Sequence, residues 1–238
     1  MQTSAGLNIE DIFMTLLDYL VLIDKKFQGF IKLTKQEGVF PAFWKVIKIC
    51  IKRIYYRHKI IYLKHSLENK VPIPETKSEF QWRLVQEEDF KKIEEFYRPT
   101  SSKETPARRF EKGDFCLIAL DGDQIVSMAW CAVKKNYVQP IEKTISIQNG
   151  TGCYYHGLTA PDYRGRGLFG AGICRLANIL RERGSSEMFL YISSDNQSSM
   201  KGAMKTIFKP YVEEELTRIL WMRFYKRRKI NTGYEGII

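Results

Sequence analysis

The sequence predicts an α+β domain, with a central mixed sheet flanked by helices, that follows an N-terminal helical extension. Three observations predict this class. From residue 80 onward, apolar runs of strand length alternate with amphipathic stretches of helical length. An Asp-Gly-Asp turn joins two of the apolar runs, which is typical of an antiparallel hairpin. A glycine-rich turn between a strand and a helix, with another strand after them, predicts one parallel crossover.

The first 68 residues are predicted to form a helical, basic extension. Residues 25–64 hold eleven lysines and arginines and one acid, in a chain whose net charge is +11. Asn8 is suited to cap a helix over 8–35, and Pro41 suits the first turn of another over 42–63. The second helix would separate an apolar face from a basic one, as basic amphipathic helices do. The apolar face comprises Trp44, Ile47, Cys50, Ile51, Ile54, Tyr55 and Ile61, and the basic face Lys45, Lys48, Lys52 and Lys59.

Three interpretations of the basic segment 25–64 stay open. Its apolar face packs on the body of the protein or on a second copy in a homodimer, or it docks on an anionic membrane surface. Nucleic-acid binding, the third, is disfavoured because no recognised motif accompanies the charge. The first 24 residues hold four acids and no base, so no signal peptide is expected, and no apolar run reaches the length of a membrane span. The predicted location is cytoplasmic, or peripheral at the inner membrane face.

The remaining elements follow in order. Residues 69–79, with two prolines, predict an extended linker, and residues 80–238 form the main domain. Its predicted strands are 80–85, the hairpin 115–133, "KTISI", "CYYHGLTA", 188–193 and a final "RILWMRFYK". Its predicted helices are 86–97, one from the glycine-rich stretch to about Arg183, and 196–207, and residues 98–114 are a polar connection.

Cysteine and histidine usage argues against a metal site. The five cysteines show no CxxC spacing, and the three histidines are scattered. Reduced thiols in a cytosolic protein are the simplest interpretation.

The stretch "APDYRGRGLFGAGIC" (160–174) carries four glycines and two arginines where a strand turns into a helix. The first turn of a helix exposes unpaired N–H groups and the positive end of the dipole, so glycines there create an anion site. The alternative is that small residues merely let the helix pack tightly on the sheet. The GxGxxG spacing at 165–170 mimics a dinucleotide site, but four residues separate it from the strand and too little chain follows Asp195. A P-loop is excluded because no Gly-Lys-Ser/Thr closes the turn.

"LTAPDYRGRGLFGAGICRLANIL" resembles motif A of the GNAT superfamily of acyl-CoA N-acyltransferases, with Arg164–Phe169 as its core. "DNQSSMKGAMKTIF" resembles the downstream motif of that superfamily, in which Asn196, Ser199, Lys205 and Phe208 fall in register. The order of elements from 80 to 225 is also similar. The chain resembles bacterial GNAT-domain proteins with basic helical N-terminal extensions. It departs from the pattern at Phe169, where Gly or Ala is usual, and at Ile207, where Gly is usual.

The resemblance implies where an acyl-CoA co-substrate binds. Pantetheine would lie beside Gly157, Leu158 and Thr159, and the pyrophosphate would lie on the amides from Arg166 to Gly170. The predicted cofactor-binding residues are Gly157, Leu158, Thr159, Arg164, Gly165, Arg166, Gly167, Leu168, Phe169, Gly170, Asn196 and Ser199.

The resemblance also implies direct attack of an amine on the thioester, so no nucleophile such as Cys153 is needed. His156 and Tyr155 are the candidate bases for the amine proton, and a water chain is a third route. Many relatives carry a Tyr that protonates the departing thiolate, but Ala203 stands in that place. The predicted function is transfer of acetyl from acetyl-CoA to a small amine such as an amino sugar. Acylation of a protein or peptide amine, and a GNAT-fold CoA-binding module without turnover, are the alternatives.

Overall fold

The computed structural model describes residues 54–97 and 104–230, together with Pro41. In chain order, the strands are β1 (Tyr55–Ser66), β2 (Gln81–Leu84), β3 (Phe115–Asp121), β4 (Gln124–Ala132), β5 (Lys135–Val138), β6 (Lys143–Ser146), β7 (Thr151–Thr159), β8 (Glu187–Ser193), β9 (Lys209–Ile219) and β10 (Met222–Lys229). The α-helices are α1 (Phe90–Tyr97), α2 (Pro106–Glu111), α3 (Leu168–Glu182) and α4 (Gln197–Met204).

The strands form one large mixed sheet and one small one. The large sheet has the order β10-β9-β1-β8-β7-β4-β3-β2, and β5 pairs with β6 separately. β7 and β8 are parallel and are joined through α3, whereas β3 and β4 form the antiparallel hairpin around the Asp-Gly-Asp turn. The predicted class, a mixed sheet flanked by helices with one parallel crossover, is confirmed.

The described residues divide into two compact units. The larger is Arg57–Thr217 with the chain from Arg223 onward, and the smaller contains residues 54–56 and Arg218–Met222. Within the smaller unit, the Leu220 N–H donates to the Ile54 carbonyl at 2.6 Å. The apolar cores and the candidate site belong to the larger unit.

Apolar side chains cover both faces of the sheet. On the face beneath α3 and α4, Leu176 and Ala203 are completely buried with Leu190 of β8. On the opposite face, Ile93 of α1 and Trp130 of β4 are completely buried. Each fully buried aliphatic side chain contributes about 1.5–3 kcal/mol to stability, so both layers stabilise the sheet, in which β7 lies between β8 and β4.

The prediction of a helix over 42–63 is wrong from residue 55 onward, because β1 is a strand. It pairs antiparallel with β8, with Ile60 opposite Ser193 and Ser66 opposite Glu187. β1 lies inside the sheet between β8 and β9, so consecutive residues Ile60–Leu63 are all buried and the alternation typical of a half-exposed strand is lost. Such an unbroken apolar run also satisfies helical periodicity, which misled the prediction.

The lysines of β1 form ion pairs along the sheet. Lys59 lies 3.1 Å from Glu213, and Lys64 lies 2.7 Å from Glu187. Lys59 therefore does not belong to a basic helix face. Residues 1–53, Pro41 excepted, lie outside the described residues, so the rest of the helical extension stays a prediction. Among the helices that the structure describes, none is long and apolar enough to span a membrane.

Three smaller differences concern connections. The polar stretch 98–114 contains the short helix α2, whose N-cap Thr105 accepts a hydrogen bond from the Arg108 N–H. β5 precedes the predicted "KTISI" strand. The expected final strand over 218–226 spans a hairpin turn at Leu220, whose φ of 56° is left-handed, so that two strands, β9 and β10, flank it.

Candidate functional site

A bulge in β7 sets the geometry of the site. β7 pairs antiparallel with β4, where Leu158 lies opposite Met128 and Tyr155 lies opposite Trp130. β7 therefore has one residue more than β4 between these two pairs, and His156 accommodates it with a left-handed φ of 47°. Because strand side chains alternate between faces, the extra residue moves those after it to the opposite face.

Beyond the bulge, β7 separates from β8. Their parallel pairing runs from Thr151 to Tyr154 on β7 and stops there. On the other side, the Ser127 hydroxyl donates to the Leu158 carbonyl at 2.9 Å, which holds the end of β7 against β4. The edge of β7 that faces β8 is thus turned toward the cleft, where an extended ligand can pair with it as a strand would.

Only part of the glycine-rich stretch requires glycine for structural reasons. Gly165 and Gly167 have φ of 73° and 87°, which disfavour any side chain, and Gly167 is the N-cap of α3. Gly170 and Gly172 have ordinary helical positions, and a Cβ would lie 3.5 Å from the Pro74 ring and 3.6 Å from the Trp82 ring, respectively. Turn conformation thus explains the first pair, whereas at Gly170 and Gly172 a Cβ would make only ordinary van der Waals contacts, so packing does not require glycine there.

An extended segment runs along α3 beside this turn. We name residues 71–77 the strap. At one end, the Asn178 side chain accepts from the Val71 N–H at 2.8 Å and donates to the Val71 carbonyl at 2.9 Å. At the other end, the Lys77 N–H donates to the Arg166 carbonyl at 3.0 Å. The prolines of the predicted linker indicate its extended conformation, and Asn178, a lone buried amide in an apolar helix, is the signal for its path.

An open cleft of about 680 Å³ lies between the end of β7, the turn, α4 and the strap. All twelve residues predicted to bind the co-substrate line it, from Gly157 to Ser199. The prediction missed further lining residues, which are Pro74, Glu75 and Lys77 of the strap, Tyr163, and Ser198, Lys201, Gly202 and Lys205 on and beside α4.

The cleft is strongly cationic. Five of its lining residues are basic and one is acidic; the basic ones are Lys77, Arg164, Arg166, Lys201 and Lys205, and the acid is Glu75. Arg166 lies over the Tyr163 ring at 4.6 Å, and its guanidinium donates to the Asp162 carbonyl at 3.1 Å. These cations join the unpaired N–H groups at the start of α3, so the cleft fits a ligand that carries several negative charges.

The two candidate bases lie next to each other on β7 but outside the residues that line the cleft. The Tyr155 hydroxyl donates to Asp114 at 2.6 Å, and burial is the first cause that raises its pKa far above the ordinary range. Burial also raises the pKa of Asp114. Tyr155 therefore keeps its proton and is bound in the core. The Cys153 thiol is fully buried, and its pKa is raised well above 9.0.

His156 is held by a buried arginine. Arg109 of α2, which sequence reasoning placed in a polar connection, is 3% exposed and donates to the His156 Nδ1 at 2.7 Å. Burial and then the charge of Arg109 lower the pKa of His156 to about 4. Because a guanidinium can only donate, Nδ1 accepts and the neutral ring carries its proton on Nε2. His156 is therefore neutral, with a defined tautomer, at physiological pH.

Comparison with known proteins identifies the family. A model of the acetyltransferase (GNAT) family matches residues 80–203, more than half of the chain. The chain belongs to the GNAT family. No curated protein matches it significantly. The structure is similar to a protein assigned to this family from Novosphingobium aromaticivorans, with a TM-score of 0.50 and 14% identity over 68% of this chain and 64% of that one.

Two further solved structures match with slightly lower TM-scores. A GNAT-family acetyltransferase from Colwellia psychrerythraea matches with a TM-score of 0.49 and 10% identity over 73% of this chain and 60% of that chain. A GCN5-related N-acetyltransferase from Kribbella flavida matches with a TM-score of 0.48 and 12% identity, over 69% of this chain and 59% of that one. The chain thus covers less than two thirds of the length of each of these relatives.

The two GNAT motifs also have structural roles in this chain. The Asn196 side chain accepts from the Ser199 N–H at 3.0 Å and caps α4. Phe169, the departure from motif A, packs against Gly202 of α4, where a Cβ would lie 2.8 Å from the Phe169 ring. Ala203 is completely buried and brings no hydroxyl to the cleft. Among the described residues, no cluster of side chains is arranged to hold a metal ion.

The neutral state of His156 predicts a pH dependence of stability. Its pKa falls from 6.5 to about 4 on folding, so the unfolded chain binds more protons between these values. The stability contributed by the neutral ring is present above pH 6.5 and is lost as the pH falls toward 4. At about 1.4 kcal/mol per pKa unit, the loss between pH 7 and pH 4.5 is about 2–3 kcal/mol.

The variant His156→Asn isolates this effect. Asn tolerates the left-handed backbone and can still accept from Arg109, but it does not titrate. We expect its free energy of unfolding, measured with urea at both pH values, to fall by about 2–3 kcal/mol less than that of the wild type. Parallel losses in the two proteins would show that His156 does not change its protonation on folding.

Proposed function

We propose that this GNAT protein transfers an acetyl group from acetyl-CoA to a small amine by direct attack of the amine on the thioester. The observation that carries the proposal is the cleft, which joins an anion-binding turn to the free edge of β7. A long ligand with phosphates at one end and an amide-containing arm fits both parts. Amino sugars are the small amines that we favour, by the resemblance noted above.

Different residues of the cleft would bind different parts of the co-substrate. The N–H groups at the start of α3, reached past Gly165 and Gly167, would hold the pyrophosphate of the co-substrate. The basic side chains of the cleft would neutralise its remaining charge. The edge of β7 at Gly157–Thr159 would pair with the amides of the pantetheine arm. The bound co-substrate supplies an activated acyl group, and the chain supplies its position.

The geometry favours a water route for the amine proton. His156 carries its proton on Nε2, and its Nδ1 is already occupied by Arg109, so it is better suited to donate a hydrogen bond than to accept a proton. The Tyr155 hydroxyl is bound to Asp114 and keeps its proton, so it supports the position of β7. Of the three routes considered, transfer of the amine proton to a chain of water molecules is the one that requires neither His156 nor Tyr155 to accept a proton.

A thiol-release assay tests the proposed reaction and separates it from the alternatives. The purified chain is incubated with acetyl-CoA and, in separate wells, with amino sugars, polyamines, amino acids and a lysine-containing peptide. Release of CoA with a small amine supports the proposal. Release with the peptide alone would favour a protein or peptide acyltransferase. Tight CoA binding by calorimetry without release from any amine would favour a binding module, and preferential binding of NAD would overturn the proposal.

The strap should contribute to co-substrate affinity through Lys77. Its backbone N–H is hydrogen-bonded to the Arg166 carbonyl, and its side chain lines the cationic cleft. The exposed Lys77 ammonium can therefore pair with a phosphate bound in the cleft. We expect Lys77→Ala to weaken CoA binding roughly 3- to 10-fold, and the loss should shrink at high salt because exposed charges are screened. Lys135→Ala, which removes an exposed lysine on β5, is the matched control and should bind CoA as the wild type does.

A further inference from the structure

The hydroxyl of Tyr154 lies directly behind Gly157, a residue that lines the cleft. Tyr154 precedes the β7 bulge and Gly157 follows it, and the extra residue brings both onto the face that α3 covers. A Cβ on Gly157 would coincide with the Tyr154 hydroxyl. The hydroxyl therefore occupies the space that a side chain at position 157 would take, and Gly157 itself lines the cleft.

The Tyr154 ring is fixed, but its hydroxyl is not used by the protein. Tyr154 is 5% exposed, and Phe169 packs edge-on against it with ring centres 5.8 Å apart and an interplanar angle of 87°. Within the described residues, the Tyr154 hydroxyl has no hydrogen-bond partner. A buried tyrosine hydroxyl normally finds an acceptor, so one that lies against a cleft residue and has no acceptor in the protein points to an acceptor on the ligand.

The order of groups along the cleft identifies that acceptor. In the proposed binding mode, the phosphate end of the co-substrate would lie at the turn 165–167, and its arm would run along β7 from Thr159 toward Gly157; these residues all line the cleft. The end of the arm that is farthest from the phosphates carries the thioester. Tyr154, beside Gly157, is therefore at the thioester end. On α4, Ala203 is buried and carries no donor that could take this place.

We propose that Tyr154 is a catalytic residue that donates a hydrogen bond to the thioester sulfur of the co-substrate; this inference rests on the function proposed above. As the carbon–sulfur bond breaks, its electron pair goes to sulfur, and the Tyr154 O–H stabilises the negative charge that develops there. Tyr154 keeps its own proton, the amine proton leaves to water, and the released thiolate is protonated in solution. Burial raises the pKa of Tyr154, which keeps it a donor throughout the physiological range.

The first test is Tyr154→Phe in the thiol-release assay with acetyl-CoA and the best amine of the panel. We expect kcat to fall 10- to 100-fold, as for the loss of one hydrogen bond to a charged group, while the affinity for CoA at pH 7, where the thiol is protonated, stays within about twofold. The melting temperature should not fall, because the hydroxyl has no protein partner to lose. Tyr191→Phe is the control, since its hydroxyl accepts from Asn136 on the opposite face, and its kcat should match the wild type.

A second measurement needs no acceptor amine. Calorimetry of CoA binding at pH 7 and pH 9 compares the thiol with the thiolate, and a donor at the sulfur makes the wild type prefer the thiolate. Tyr154→Phe should lower the ratio of the two affinities about tenfold. An unchanged ratio together with an unchanged kcat would overturn the role of Tyr154 while leaving the proposed function intact. A wild type that binds no CoA at either pH would overturn both.

Discussion

Gly167→Val should abolish acyl-CoA binding, with a loss of affinity of at least 100-fold by calorimetry. Gly167 has a φ of 87°, and a Cβ there would lie 2.9 Å from the Glu75 carbonyl oxygen of the strap. A β-branched residue cannot hold this backbone, so the N–H groups at the start of α3 would turn away from the phosphate position. We also expect the free energy of unfolding to fall by about 2–4 kcal/mol, because the strap must move.

Two alanine variants separate backbone strain from collision with the strap. Gly165 has a similar φ of 73°, but nothing lies within 4 Å of a Cβ there. Gly165→Ala should therefore show only the strain of a left-handed alanine, about 1–2 kcal/mol. Gly167→Ala should show that strain and also the contact with Glu75. Equal stability and equal CoA affinity in the two variants would mean that the strap does not press on the turn.

Arg109→Met should destabilise the chain by about 1–3 kcal/mol, the cost of leaving the buried Nδ1 of His156 without its hydrogen-bond donor. The Arg109 guanidinium bonds to His156 and lies 4.9 Å and 5.1 Å from the ring centres of Trp130 and Tyr155. Its loss should also release the bulge of β7, so we expect kcat to fall together with stability. Urea unfolding at pH 7 and the thiol-release assay measure the two effects.

The neighbouring arginine is the control for charge. Arg108→Met removes the same charge one residue earlier on α2, but Arg108 is exposed. We expect its free energy of unfolding to stay within about 0.5 kcal/mol of the wild type. If Arg108→Met and Arg109→Met have equal effects, the network around His156 makes no special contribution to stability.

Local sequence was sufficient for the elements that have strong signals of their own. The hairpin of β3 and β4 follows from its Asp-Gly-Asp turn, and α3 follows from Gly167 at its start and Gly184 beyond its end. β1 could not be predicted in this way. Its burial depends on a partner, β8, that lies more than a hundred residues later in the chain. Neither the helical nor the strand periodicity of apolar residues in β1 can predict a contact with so distant a segment.

The same division holds for the site. The GNAT motifs lie within two short segments, so the twelve cleft residues could be chosen from the sequence, and the structure places all of them around one cleft. Arg109 and the strap could not be chosen, because each reaches the site through contacts that are distant in sequence. The α2 helix that carries Arg109 is six residues long and has little periodicity to detect.

The sequence by itself determined the family, the α+β class and the position of the glycine-rich turn, because motif spacing and turn chemistry are local properties of the chain. Only the tertiary structure decided which side chains meet. His156, at the bulge, accepts a hydrogen bond from Arg109, and the Tyr155 ring also contacts Arg109. The bulge also places Gly157 beside the Tyr154 hydroxyl. A one-residue shift in strand register reverses the face of every side chain that follows, and the partner strand β4 sets that register.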